Sequence, residues 1–115
     1  MFFGGIKEID AHQLADLLKK GANSVRVIDV REMHEIAAGT VPQAEAMPLG
    51  TLPARTHEFH PEETLVMVCR SGARSAQACM FLAQRGYAKV LNLRGGMMGW
   101  VGSGLAPVAL RQEAA

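Results

Sequence analysis

The chain has 115 residues, of which 49% are hydrophobic, and its 12 basic and 11 acidic residues give a net charge of +1. A chain of this length can bury about two-thirds of its unfolded surface in one core. The balanced charge excludes the strongly basic surface that recruits nucleic acid or anionic membranes, and no apolar stretch approaches the ~20 residues of a membrane span.

These bulk properties predict one domain over residues 1–115, with its core at about 6–107 and a tail at 108–115. Residues 1–5 are too short for the apolar core of a signal peptide, and Lys7 and Glu8 follow directly. We therefore expect a cytoplasmic protein that has no nucleic-acid or membrane partner.

The pattern along the chain alternates between helices and strands, which is typical of an α/β structure. Asp10 can cap the first helix with Gln13 as its capping-box partner, and Gly21 ends that helix. The later segments follow in chain order: a strand at 25–30, a short helix at 33–38, a short strand at 46–47, a helix at 49–59 with Thr51 as its cap, a strand at 65–68, a helix at 75–85 and a strand at 90–93. Residues 111–115 are expected to form a loose tail.

Cys69 lies between a continuous apolar run at 65–68 and the helix predicted to begin at Ser75. The apolar run is typical of a central strand buried on both faces. At a junction between such a strand and a helix, backbone N–H groups converge and the helix dipole favours an anion. Arg70 and Arg74 add two positive charges, and such surroundings lower the pKa of a thiol. We interpret Cys69 as a nucleophile rather than as a small buried hydrophobic residue.

The second cysteine, Cys79, lies on the apolar face of the helix that follows, so we expect it to pack in the core. The two cysteines have neither metal-ligand spacing nor CxxC spacing, and a disulfide between them is geometrically unfavourable. His57 and His60 lack a third ligand. The sequence therefore predicts no metal and no cofactor, and two lone thiols favour a reducing compartment.

Three of the predicted strands are followed by charged or reactive residues. Ligands of open parallel sheets bind beyond the carboxyl ends of the strands. If these three strands are parallel neighbours, they bring to one rim the residues Asp29, Arg31, Cys69, Arg70, Arg74 and Arg94.

Four segments, in this order, resemble the rhodanese family of sulfurtransferases in its small single-domain form. They are 29–32 (DVRE), Glu35 with 39–42 (GTVP) and 47–48 (MP), 69–75 (CRSGARS), and 94–96 (RGG) with Trp100 and 104–107 (GLAP). Thr40 and Gln43 depart from the family pattern, which often has histidine and glycine at these places. The resemblance implies an α/β fold, a three-layer sandwich with a central, mostly parallel five-stranded sheet flanked by helices.

The same resemblance implies the chemistry of the site. Cys69 would carry a persulfide, taking sulfane sulfur from a small anion such as thiosulfate and passing it to cyanide or a thiol. The backbone of the loop after it would bind the anionic sulfur, through Arg70, Ser71, Gly72, Ala73, Arg74 and Ser75. Arg70 and Arg74 either grip the sulfonate oxygens, or one of them pairs with Asp29 or Glu32 and holds the loop. Asp29 and Arg31 are expected to support the site.

Two other functions compete with this interpretation. Cysteine loops of phosphatases and arsenate reductases also hold oxyanions, but they have Cys-x5-Arg spacing, whereas Cys69 and Arg74 are in Cys-x4-Arg spacing. The shorter ring suits a sulfur atom better than a phosphate group. The second competitor is a persulfide relay or binding module that acts with a protein partner, which the intact loop does not exclude.

Overall fold

The computed structural model describes residues 2–3, 5–21 and 24–110, so residues 111–115 of the tail predicted at 108–115 lie outside the described residues. Val108 of that tail pairs with Thr40. The strands are β1 (Phe2–Phe3), β2 (Ile6–Ile9), β3 (Arg26–Asp29), β4 (Glu45–Ala46), β5 (Leu65–Val68) and β6 (Val90–Leu93). The α-helices are α1 (Ala11–Lys19), α2 (Met33–Ile36), α3 (Leu52–Arg55), α4 (Ala73–Ala83) and α5 (Gly96–Gly102). No helix within these ranges has the length and apolar composition needed to cross a membrane.

The described strands form one sheet in the order β1-β2-β6-β5-β3-β4. All neighbours from β2 to β4 are parallel, and β1 adds an antiparallel edge next to β2. The α/β fold with five parallel strands is therefore confirmed. Asp29 pairs with Val68, and Met67 pairs with Asn92, so the carboxyl ends of β3, β5 and β6 meet at one edge.

Successive residues of β5 face opposite sides of the sheet, and each side carries its own apolar core. Val66 and Val68 pack with α1 and α5, through residues such as Leu14 and Trp100. On the other face, Leu65, Met67 and Cys69 pack with Leu52 of α3 and with Ala78, Cys79 and Leu82 of α4. Helices on both faces of the sheet make the three-layer arrangement, and all four residues of β5 are buried.

The helix termini show where local sequence signals hold. The capping box at Asp10 is confirmed, because Gln13 N donates to Asp10 Oδ1 (2.8 Å) and Asp10 N donates to Gln13 Oε1 (2.9 Å). The helix predicted at 75–85 begins two residues earlier, at Ala73, because Gly72 takes a left-handed conformation (φ 113°) that lets the chain turn directly into the helix.

The continuous helix predicted at 49–59 is wrong. The segment instead forms a 3-10 turn at Leu49–Thr51, the short α3, and a second 3-10 turn at Thr56–Glu58. The hydroxyl of Thr51 donates back to Pro48 O (2.7 Å) and so does not cap the helix. Strand β2 at Ile6–Ile9 was not among the segments predicted from the residue pattern.

The two departures from the family pattern lie in the segment between α2 and β4. Thr40 is buried, its hydroxyl donates to Asp29 Oδ2 (2.7 Å), and its backbone exchanges two 2.8 Å hydrogen bonds with Val108. Gln43 has φ 69° in a turn closed by Ala44 N donating to Val41 O (3.1 Å). Gln43 therefore holds a left-handed conformation that favours glycine.

Candidate active site

Cys69 directly follows β5, and its side chain is turned into a ring of hydrogen-bond donors. The residue is only 1% exposed. Gly72 N donates to the sulfur at 3.0 Å, and the Ser75 hydroxyl lies 3.3 Å from it. The backbone of Ser71 and Ser75 also favours the thiolate and lowers the pKa of Cys69. The turn at Gly72 and the start of α4 thus place backbone donors around one atom, an arrangement that can stabilise an anionic sulfur.

The two cysteines have opposite acid–base properties. Burial raises the pKa of Cys69, but hydrogen bonds from the Ser75 side chain and from the backbone of Ser75, Gly72 and Ser71 outweigh it, so the pKa lies below that of an ordinary thiol. Burial raises the pKa of Cys79 to about 12, with the charges of Cys69 and Glu8 adding to the effect. Cys79 packs in the core as predicted and remains a neutral thiol.

The loop is held from behind by the start of α5. Met97 N donates to Cys69 O (2.9 Å), and Met98 N donates to Arg70 O (3.0 Å). Gly96 makes this approach possible, because a Cβ atom at this position would lie 2.6 Å from Arg70 O and closer still to Cys69 O. These contacts use the carbonyl groups of the two residues that follow β5, and they leave the amide of Gly72 to donate to the sulfur.

The two loop arginines have different environments. Arg74 makes a bidentate ion pair with Glu35 of α2, at 2.6 and 2.8 Å. This hydrogen bonding holds the pKa of Glu35 at about 2. The partner of Arg74 is therefore Glu35. From the sequence, Asp29 or Glu32 was a candidate partner for one of the two arginines, and Arg74 pairs with neither. Arg70 is exposed and makes no ion pair or side-chain hydrogen bond within residues 5–21 and 24–110.

Asp29 and Arg31 form a buried ion pair beneath α2. Arg31 Nη2 donates to Asp29 Oδ2 (2.7 Å) and to Gly39 O (2.7 Å), and Arg31 Nη1 donates to Glu35 O (3.3 Å). Asp29 is fully buried and also accepts from the Thr40 hydroxyl. The pair fixes the segment that carries Glu35, and so it reaches the cysteine loop through the Glu35–Arg74 pair.

Asn92 of β6 belongs to the site but was not a candidate from the sequence. It is buried, its Nδ2 donates to Gly72 O (3.1 Å), and its Oδ1 accepts from the Ser75 hydroxyl. The signal that could have identified it is a single polar residue inside the otherwise apolar strand Val90–Leu93. The same reasoning, that a buried polar group requires a partner, applies to any such position.

The remaining predicted residues are placed as follows. Ser71 and Ala73 are exposed on the outer side of the loop, whereas Ser75 is buried. Arg94 lies at the same sheet edge, where its guanidinium approaches Glu8 (4.0 Å) and Asp10 (3.9 Å). Across the ranges 5–21 and 24–110, no group of three His, Cys, Asp or Glu side chains is arranged to hold a metal ion.

Comparison with known proteins places this geometry in a family. The model of the rhodanese-like domain matches residues 10–103. A protein named sulfurtransferase from Allochromatium vinosum is 43% identical over 104 residues, which cover 90% of this chain and 96% of that protein.

Solved structures of related proteins share the same architecture. The crystal structure of a rhodanese-related protein from Thermoplasma volcanium superposes with a TM-score of 0.79 at 27% identity, covering 89% of this chain and 97% of that one. A rhodanese-like domain protein from Staphylococcus aureus gives a TM-score of 0.76 at 33% identity, covering 83% and 91%. The family model spans most of the chain, and the structural relatives cover it at similar length. The chain therefore belongs to the rhodanese-like domain family.

Proposed function

We propose that this protein is a sulfurtransferase in which Cys69 carries sulfane sulfur as a persulfide between a small donor anion and a thiophilic acceptor. The observation that carries the proposal is the ring of donors from Ser71, Gly72 and Ser75 around the Cys69 sulfur. Donors that lower the pKa of the thiol also stabilise any anionic sulfur in its place. The name and 43% identity of the Allochromatium vinosum relative support sulfur transfer as the general activity.

The first half-reaction loads the cysteine. The Cys69 thiolate attacks the outer sulfur of thiosulfate and forms a new S–S bond. The S–S bond of thiosulfate breaks, and sulfite leaves with its electron pair. The product is a Cys69 persulfide whose outer sulfur carries the negative charge, close to the loop amides that faced the thiolate.

The second half-reaction transfers the outer sulfur of the Cys69 persulfide to the acceptor. Cyanide or a thiolate attacks the outer persulfide sulfur, and the electron pair of the S–S bond returns to Cys69 as the thiolate. Thiocyanate is the product with cyanide, and a persulfide is the product with a thiol. Because each half-reaction leaves a distinct form of the enzyme, the kinetics are expected to be ping-pong.

Arg70 is the residue that we assign to the donor anion. It is exposed, adjacent to Cys69 and free of a carboxylate partner in the part of the chain that the structure describes, so its guanidinium is available for the sulfonate oxygens. Arg74 is held by Glu35 and positions the loop. Asp29 and Arg31 support that pair from below.

A phosphatase or arsenate reductase function is less well supported. Arg74, which ends the Cys-x4-Arg loop, already donates to both oxygens of Glu35, so fewer of its N–H groups are available to a phosphate. A persulfide relay that works with a protein partner uses the same Cys69 chemistry, and only the donor differs. A cytoplasmic location, which the free thiols of Cys69 and Cys79 favour, stays a prediction.

Mass spectrometry of the protein after exposure to thiosulfate tests the proposal. We expect a gain of one sulfur atom on the Cys69 peptide, removed by cyanide, together with sulfite release. Cys69→Ser abolishes both the mass gain and turnover, whereas Cys79→Ser, the matched control, retains them. Turnover of an aryl phosphate without sulfur gain would instead establish a phosphatase. Efficient loading from a protein persulfide with negligible thiosulfate turnover would favour the relay.

A further inference from the structure

A buried polar chain runs beneath the cysteine loop from β2 to the nucleophile. Glu8 Oε2 accepts from Asn92 Nδ2 (3.3 Å), Asn92 Oδ1 accepts from the Ser75 hydroxyl, and Ser75 Oγ lies 3.3 Å from Cys69 Sγ. Asn92 is 1% exposed and Ser75 is fully buried. Water therefore does not reach Asn92 or Ser75, and the hydrogen-bond capacity of each group decides the arrangement.

The orientation of the Asn92 amide is fixed by its surroundings. Nδ2 has two hydrogens, and they face two acceptors, Gly72 O (3.1 Å) and the Glu8 carboxylate. The reverse orientation would place the amide oxygen against both acceptors and leave it without a donor. Oδ1 must therefore face Ser75, where it acts as an acceptor.

The Ser75 hydroxyl has one proton and more than one acceptor within reach. Gly72 O, at 3.2 Å, already accepts from Ala76 N (3.0 Å) and Asn92 Nδ2, which uses both of its lone pairs. Two acceptors remain, namely Asn92 Oδ1 and Cys69 Sγ. The hydroxyl cannot donate to both of them at once.

We propose that Asn92 is a positioning residue that competes with the Cys69 thiolate for the Ser75 hydroxyl proton, and thereby sets how readily Cys69 ionises. Glu8 and the carbonyl group of Gly72 keep Asn92 in the competing orientation. This inference rests on the proposed function in one respect only, namely that sulfur transfer is the reaction that uses the Cys69 thiolate.

Two states of the chain account for every proton. In the neutral state, Ser75 donates to Asn92 Oδ1 and its lone pair accepts from the thiol S–H. On ionisation the thiol proton leaves to solvent, and the Ser75 O–H rotates from Asn92 to the thiolate without leaving its oxygen. The thiolate gains a donor, but the Asn92 carbonyl loses one, so Asn92 opposes ionisation by about one buried hydrogen bond.

Other groups also act on the Cys69 sulfur from the surrounding elements. Arg74 and Cys79 of α4 interact electrostatically with Cys69. Further charged side chains lie on the loop, on α2, on β2 and directly after β6, and they are Arg70, Glu35, Glu8 and Arg94. Their effects do not depend on which way the Ser75 hydroxyl points. These groups therefore affect the pKa of Cys69 independently of the competition between Asn92 and the thiolate.

The rate of iodoacetamide alkylation of Cys69 as a function of pH gives the pKa of the thiol without any sulfur-transfer assay. We expect Asn92→Ala to lower this pKa by about 0.5 to 1 unit, because the competing acceptor is gone. Ser75→Ala should raise the pKa more in the Asn92→Ala background than in the wild type. An unchanged or raised pKa in Asn92→Ala overturns the proposal, since that result is expected if Asn92 only holds the loop through Gly72 O.

A measurement on the wild-type protein decides the question even if Asn92→Ala does not fold. The side-chain ¹³Cγ resonance of Asn92 should titrate with the same midpoint as Cys69 alkylation, and this titration should disappear in Ser75→Ala. The side-chain amide of Gln84, which is exposed at the C-cap of α4, serves as the control and should not follow Cys69. An Asn92 resonance that is constant through the ionisation of Cys69 refutes the competition. A protein that shows the coupling but gains no sulfur from any donor would instead refute the proposed function alone.

Discussion

Gly96 is the position at which a single methyl group is expected to disturb Cys69 from outside the loop. It begins α5 with φ 56°, and a Cβ atom there would lie 2.6 Å from Arg70 O and closer to Cys69 O. Both obstacles are backbone atoms, so no side chain can rotate away. In Gly96→Ala, the new Cβ atom and Arg70 O must therefore move apart by about 0.8 Å to reach an ordinary contact of 3.4 Å, and the separation from Cys69 O must grow by more.

The size of the effect follows from the contacts that this movement disturbs. A left-handed conformation costs an alanine about 1–2 kcal/mol relative to glycine. The hydrogen bonds from Met97 N to Cys69 O and from Met98 N to Arg70 O each contribute about 1 kcal/mol. We expect Gly96→Ala to lower the free energy of unfolding by about 3 kcal/mol. Because the donors around the sulfur move as well, the pKa of Cys69 should rise.

Urea denaturation and the pH dependence of Cys69 alkylation measure the two effects. Gly102→Ala is the matched control, because Gly102 lies in the same helix, and a Cβ atom there would meet nothing within 4 Å. It should leave the pKa of Cys69 unchanged and stabilise the protein by up to about 1 kcal/mol, as expected for glycine-to-alanine changes in helices. If Gly96→Ala behaved like Gly102→Ala in both measurements, the anchoring role of α5 would be refuted.

Four further predictions concern single residues. Arg70→Ala should raise the KM for thiosulfate about tenfold with unchanged unfolding in urea, because it removes a charge-assisted contact to the donor. Arg74→Ala should lower the free energy of unfolding by about 1 kcal/mol, and equal effects of both variants on KM would contradict this division of roles. Gln43→Gly should raise the free energy of unfolding by about 0.5–1 kcal/mol, because glycine adopts the left-handed conformation without strain. The greater flexibility of glycine in the unfolded chain offsets part of this gain. A loss of stability in this variant would contradict the prediction. The Glu35 carboxylate, whose pKa of about 2 lies below its ordinary 4.5, should stabilise the fold fully above about pH 4.5 and progressively less as the pH falls towards 2. Urea denaturation of the wild type and Glu35→Gln over this pH range should therefore give curves that converge at low pH.

The elements that could be predicted from the sequence are those whose signals lie within a few residues. The capping box joins Asp10 and Gln13, three residues apart, and the buried strand at 65–68 is a continuous apolar run. The prediction of one helix at 49–59 was wrong because these residues can also form successive short turns. Which of these forms depends on individual hydrogen bonds such as the one from the Thr51 hydroxyl to Pro48 O. Strand β2 is short and pairs in parallel with the distant β6, so its own pattern does not identify it.

The same distinction applies to the candidate site. The contact between Gly72 N and the Cys69 sulfur spans three residues, and the loop sequence was sufficient to predict a ring of amides there. The partner of Arg74 is 39 residues away and that of Ser75 is 17 residues away, and both depend on how α2 and β6 pack beside β5. An acidic residue on a short helix has several possible cationic partners until the sheet order is known. The local ring thus surrounds the sulfur, while contacts made across the fold decide which arginine has no carboxylate partner and is the one that we propose for the donor.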